Sequence, residues 1–173
     1  MEKRNVVAVV GSGDDRDERS AADALLLGEL LAREGWVVLS GGRDAGVMRA
    51  VNQGAKKVPG SLTVGILPSP SAAAAPGVDV AVVTDLRQGR NNVVVLSGDV
   101  VVACGIDGPG TASEVALALK NGRPLVLLGA GTDAVSFFRG ISDHPFLLTS
   151  TPEEAVEEVR RLLGGEGDTS GYV

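Results

Sequence analysis

Residues 99–114 read Asp-Val-Val-Val-Ala-Cys-Gly-Ile-Asp-Gly-Pro-Gly-Thr-Ala-Ser-Glu. Val100 to Cys104 form an apolar run between Gly98 and Gly105. A valine-rich run of that length is too short for a helix and reads as a strand buried on both faces. The turn Gly105-Ile-Asp-Gly-Pro-Gly110 follows, then a helix from Thr111 to Lys120 with Ala112, Val115, Ala116 and Leu119 along one stripe. Strand, glycine turn and helix make a phosphate site, because free N–H groups and the positive dipole end meet at the helix start. Glycine lets the backbone approach a ligand without a Cβ in the way.

Strands and helices alternate along the rest of the chain, with no internal repeat. Val6 to Val10 is a strand ended by Gly11-Ser-Gly13, and a charged loop runs from Asp14 to Arg19. A helix capped by Ser20 runs to about Glu34, and Gly35 stops it. Trp36 to Leu39 is a strand. A second glycine turn, Ser40-Gly-Gly-Arg-Asp-Ala-Gly46, leads into a helix from Val47 to about Lys57. Leu62 to Leu67 and Val78 to Val83 are strands. Between them, prolines 68, 70 and 76 forbid a helix through the alanines, so residues 68–77 read as a surface loop beside the site. Gln88 to Leu96 is a short helix, Pro124 to Leu128 a strand, Ala134 to Arg139 a helix and Phe146 to Leu148 an edge strand. Thr151-Pro-Glu-Glu opens a last helix with a cap, proline at the first position and early acids. It runs to about Leu163, and the polar, glycine-rich residues 164–173 read as a flexible tail.

Strands alternating with helices predict a three-layer α/β/α, Rossmann-like domain over residues 1–163, with a mostly parallel sheet of about seven strands. Ligands of such sheets bind at the carboxyl ends of the strands, where both glycine turns lie. Aromatic residues are only 3% of the chain, so valine, leucine and alanine build the core. A net charge of −6 without a basic cluster argues against a nucleic-acid or anionic-membrane surface. Cys104, the single cysteine, leaves no disulfide framework and no cysteine-rich zinc site, and reads as a buried strand residue; no metal site is expected. No targeting or membrane-spanning segment is visible, which predicts a cytoplasmic protein. Neither turn matches Gly-x-Gly-x-x-Gly after the first strand, so an ordinary NAD site is not expected, and the Walker lysine pattern is missing.

Gly41-Gly-Arg-Asp-Ala-Gly-Val-Met48 resembles the Gly-Gly-Gly-x-x-Gly-Leu-Met segment of the Lonely Guy (LOG) superfamily, once labelled "putative lysine decarboxylase". Gly108-Pro-Gly-Thr-Ala-Ser-Glu114 resembles its Pro-Gly-Gly-x-Gly-Thr-x-x-Glu, and Leu86-Arg-Gln-Gly-Arg-Asn-Asn92 lies where that family has an arginine-bearing helix start. Within the superfamily the motifs look more like the molybdenum-cofactor carrier branch. The phosphoribohydrolases carry Glu-Glu where this chain has Ser113-Glu114, and His-x-Arg-Lys where it has Gln88-Gly-Arg-Asn91. The resemblance implies phosphate held by Gly41, Gly42, Arg43, Gly46, Gly108, Gly110 and Thr111. It also implies a pocket lined by Arg90 and Glu114, and a homodimer or homotetramer. Val93 to Leu96, apolar nearly all round a short helix, agree with assembly.

Each candidate also has a structural reading. Glu114 is either the family's catalytic carboxylate or the third residue of a capping box, Thr111-x-x-Glu114. Arg90 is a phosphate fork or a surface arginine. Arg43 is conspicuous inside a glycine turn and favours ligand contact. Asp107 would repel phosphate unless it points away or meets a cation or a ligand hydroxyl. Met48 reads as core, His144 as a loop residue, and the acids from Glu153 to Glu158 as a solvated helix face. No lysine is set up for a pyridoxal Schiff base, which excludes the decarboxylase label. The leading expectation is a binding protein for a phosphate-bearing nucleotide or pterin, similar to molybdenum-cofactor carriers. Its rivals are a nucleoside 5′-monophosphate phosphoribohydrolase and an assembly protein with a vestigial pocket.

Overall fold

The computed structural model describes residues 3–165. Seven strands form one sheet: β1 (Val6–Gly11), β2 (Val37–Ser40), β3 (Leu62–Leu67), β4 (Val80–Val83), β5 (Val100–Cys104), β6 (Leu125–Leu128) and β7 (Leu147–Thr149). Every pairing is parallel, and the order is β4-β3-β2-β1-β5-β6-β7. Five helices lie between strands, α1 (Glu18–Arg33), α2 (Gly46–Ala55), α3 (Arg90–Ser97), α4 (Pro109–Lys120) and α5 (Thr132–Ile141), and α6 (Pro152–Gly164) follows β7.

Alternation along the strands sorts the core into two layers. Val7, Val9, Val100, Val102 and Cys104 point to one face, where they meet Leu27 and Leu31 of α1, Val47 and Val51 of α2, and Val156 and Val159 of α6. Ala8, Val10, Val101 and Ala103 point to the other, against Val94 and Val95 of α3, Val115 and Leu119 of α4, and Phe138 of α5. The three-layer parallel fold read from the sequence is the fold observed. Cys104 is buried in the central strand, and burial keeps its thiol protonated.

Several boundaries differ for identifiable reasons. Asp17, not Ser20, caps α1: its Oδ1 accepts from the Ser20 amide at 3.0 Å, and Ser20 is buried inside the first turn. Pro109 takes the first position of α4, so that helix begins before Thr111 and its N-cap is Gly108. Thr111 and Glu114 are therefore both interior, and no capping box forms. Residues 87–89 make a 3-10 turn, and α3 proper starts at Arg90. The α3 valines are also not left over for a partner. Val94 and Val95 are buried, Val93 packs on the same layer, and Leu96 alone stays exposed. The cap expected at Thr151 is present: its Oγ1 accepts from the Glu154 amide at 3.3 Å, and the Glu154 carboxylate accepts from the Ser150 amide at 2.7 Å. The tail lies mostly outside the described residues.

Candidate functional site

Chain direction across the sheet reverses between β1 and β5, the strands placed side by side in register from Val7↔Val100 to Gly11↔Cys104. Beyond their carboxyl ends the connections diverge to opposite faces, which leaves a crevice in the sheet's rim. A cleft of about 400 Å³ occupies that place. Its wall is built from Gly11, Ser12 and Gly13 after β1, Gly41 and Arg43 after β2, and Asp107 to Thr111 after β5. Arg90 and Glu114 complete it.

The start of α4 faces this cleft with no side chain capping it. Pro109 has no N–H, so the donors there are the amides that follow it. An added Cβ at Gly108 or Gly110 would meet nothing within 4 Å, so the space in front of these amides is open. This is the geometry of an anion site at a helix N-terminus.

Arg90 is the first residue of α3 and only 6% exposed. Its Nη2 reaches the Met48 sulfur at 3.8 Å, and its Nη1 lies 3.9 Å from Glu114 Oε1, too far for a hydrogen bond. Among the described residues Nε and Nη1 have no hydrogen-bond partner. Burial pulls the Arg90 pKa down; Glu114 opposes that fall and Arg43 adds to it. A buried guanidinium with unsatisfied donors is costly, and an anion in the cleft would satisfy them. Burial likewise pushes the Glu114 carboxyl up to about 7, against the pull of Arg90.

Glycine at 41 leaves room for this guanidinium, which would have to shift to admit a side chain. A Cβ at Gly41 would lie 2.2 Å from Arg90 Nη1. Ser40, at the end of β2, holds the turn from below: its Oγ accepts from the Gly42 amide at 3.2 Å and from Asn52 Nδ2 at 3.0 Å. The proline-rich loop pins it from the side. Ala75 donates to the Gly42 carbonyl at 2.8 Å, and Asp44 donates to Ala73. The loop therefore does lie beside the site, and it is tied to the glycine turn by backbone hydrogen bonds.

Of the residues expected to hold phosphate, Gly41, Arg43, Gly108, Gly110 and Thr111 line the cleft together with Arg90 and Glu114. Gly42 and Gly46 do not. Gly42 has φ +68° and packs its Cα face on Gly65 of β3. Gly46 has φ +45°, abuts the Ser12 carbonyl, and donates its amide to Asp15 Oδ1 at 2.8 Å. Both shape the turn from behind. Ser113 is also outside the lining: its Oγ donates to the Gly110 carbonyl at 2.7 Å and faces Asn91 of α3. Met48 is core, as read, and also part of the cleft floor.

Sequence reasoning missed the contribution of the first loop. Ser12, Gly13 and Asp14 line the cleft. The signal that would have found them is topological, since a strand at the reversal point must send its loop past the cleft. Asp107 turns its carboxyl away from Arg90, over Gly105, toward Ser20 and Asp17 of the α1 start. Burial and the neighbouring Asp17 raise its pKa.

The fold and cleft define a class. The SLOG cluster4 family profile matches residues 4–156, and the chain belongs to that family. The chain is similar to the molybdenum cofactor binding protein of Rippkaea orientalis, at 43% identity and a TM-score of 0.88 over 94% of this chain and 99% of that one. It is likewise similar to the molybdenum cofactor carrier protein of Chlamydomonas reinhardtii, at 39% identity and a TM-score of 0.85, covering 93% and 99%. A protein of Archaeoglobus fulgidus is 38% identical over 122 residues, 70% of this chain and 78% of its own.

Proposed function

We propose that the protein binds the molybdenum cofactor, a phosphate-bearing pterin, and carries it as cargo. The observation that carries this reading is the buried Arg90, whose Nε and Nη1 make no hydrogen bond among the described residues, beside a helix start that no side chain caps. The chemistry fits an anionic ligand. In this reading Gly108, Gly110 and Thr111 present amides to the phosphate, and Arg43 and Arg90 neutralise it. Gly41 makes room for Arg90, while Gly42 and Gly46 hold the turn in shape. The similarity to carrier proteins over nearly the whole chain supports the same conclusion. The negative net charge speaks for a small ligand rather than a nucleic acid, and we place the protein in the cytoplasm as part of this proposal.

Gly110→Asp tests the placement. The added side chain has open space, and an acid in the first turn suits the helix, so the variant folds. Its carboxylate stands where the phosphate would bind. Wild type gains thermal stability from the molybdenum cofactor and from neopterin monophosphate, about 2.7 kcal/mol at a hundredfold excess over Kd. Gly110→Asp loses most of that gain. An equal gain in both proteins overturns the placement.

One observation favours a second reading, a phosphoribohydrolase. Glu114 is a buried carboxyl within the cleft, 3.9 Å from Arg90, where it could stabilise positive charge on ribose. Release of ribose 5-phosphate from AMP or GMP by wild type, falling at least roughly a hundredfold in Glu114→Gln, would establish it. The carrier reading expects no such release.

A further inference from the structure

Arg90 has one charged neighbour that an anion in the cleft must tolerate. Its Nη1 is both the atom 3.9 Å from Glu114 Oε1 and one of the two donors without a hydrogen-bond partner among the described residues. Glu114 is itself only 7% exposed and lines the cleft. Its carboxyl makes that one ion-pair contact and, among the described residues, no hydrogen bond. The other charged groups around the cleft face elsewhere. Asp14, from the loop after β1, is paired with Arg16. Asp107, from the turn after β5, turns toward Ser20 and Asp17. Arg43, from the turn after β2, acts on Arg90. From α2 comes the neutral Met48, and from α3 comes Asn91, whose Nδ2 donates to Ser113 Oγ at 3.4 Å. Arg90 is the one charged group that acts on the Glu114 carboxyl.

An anion oxygen hydrogen-bonded to Nη1 at about 2.9 Å stands within about 7 Å of Glu114 Oε1, whatever its direction. Two negative charges that close in a buried setting repel, and each disfavours the charged form of the other. A proton on Glu114 removes the repulsion and leaves the incoming anion as the counter-charge of Arg90. It also turns an acceptor-only carboxylate into an O–H donor that the anion can use. Burial already favours that proton and holds the carboxyl at about 7, so the step is a small one near neutrality. We propose that Glu114 takes up a proton when an anion binds at Arg90, so that the site captures its ligand in mildly acidic solution and releases it in mildly alkaline solution. The proton comes from solvent and returns to it on release. This inference rests on the anion-cleft reading above and adds what makes the cargo leave. It also gives Glu114 the opposite protonation to the one a hydrolase needs to stabilise a positive ribose.

Calorimetry on the full-length protein with sulfate and GMP tests it. Sulfate stays doubly charged across the range, so any pH dependence of its binding belongs to the protein. Wild type is expected to bind sulfate roughly tenfold more weakly at pH 8 than at pH 6, the linkage of one group that titrates midway. Titration at pH 8 in two buffers of different ionisation enthalpy should show about one proton taken up per anion bound. GMP, whose phosphate is already a dianion at pH 8, should give the same proton count. Glu114→Gln, a neutral near-isostere, should bind sulfate at pH 8 as tightly as wild type does at pH 6, with no proton taken up. Arg43→Gln weakens sulfate at both pH values and keeps their ratio. Equal wild-type affinity at the two pH values, or a pH dependence that survives Glu114→Gln, overturns the inference and leaves the anion cleft standing. If Glu114→Gln does not fold, the wild-type proton count decides, and a count of zero overturns the inference. Failure of both sulfate and GMP to bind wild type at either pH overturns the cleft reading and this inference together.

Discussion

At the residue scale, Glu114 ties the cleft to stability. Its carboxyl titrates near 4.5 when exposed and is pushed up to about 7 by burial. The folded state therefore holds its proton more tightly than the unfolded state between those values. Stability is lost as pH rises through that window, by about 3 kcal/mol in full. Below pH 4.5 the term vanishes, and above pH 7 it is constant. Glu114→Gln has no such term, so the variant should gain on wild type by about that amount between pH 4.5 and pH 8 in urea melts. A constant difference across the range would mean that Glu114 is not buried as described. The carboxylate and Arg90 were both legible through the family resemblance. What misled the local reading was Pro109, which moved the helix start and turned a candidate cap into an interior residue aimed at the cleft.

At the element scale, the closest approach is between α1 and α2. A Cβ at Gly54 would fall 1.8 Å from the Leu25 carbonyl, and one at Gly28 would fall 2.1 Å from the Val51 carbonyl. Each glycine lets the other helix's backbone into contact, and backbone cannot swing aside as a side chain can. Gly54→Ala should therefore cost more than the usual 1–3 kcal/mol of an overpacked core, despite alanine's better helix propensity. Thermal denaturation measures this; a variant as stable as wild type would contradict the crossing. Most of the strands were legible because they are short, apolar runs closed by glycine or proline, and Leu62–Leu67 and Val100–Cys104 matched to the residue. The two helix faces at this crossing were not legible. A glycine inside a helix looks the same in sequence whether it meets water or another backbone.

At the scale of the whole molecule, the parallel sheet followed from strand–helix alternation, but its order did not. Which strand pairs with which depends on long-range packing, and the reversal between β1 and β5 that makes the cleft is invisible in local pattern. Assembly is the property least constrained by one chain. Val80, Val82 and Val83 of the edge strand β4 are exposed, as are Leu86 and Leu96 on the segment that follows. Among the described residues no helix is long and apolar enough to cross a membrane. We propose that the protein is a homodimer or homotetramer. Light scattering across micromolar concentrations should return a multiple of the 17.6 kDa chain mass, and a monomer throughout would overturn this.

The contact of Arg90 with the bare face of Gly41 carries a consequence for descent. Neither position is free to drift alone. A methyl group at 41 evicts the guanidinium, and a shorter residue at 90 leaves the glycine without its reason. The two positions are therefore expected to change together: a lineage that abandons one has no cause to keep the other. Such a lineage would have given up this pocket while retaining the fold around it.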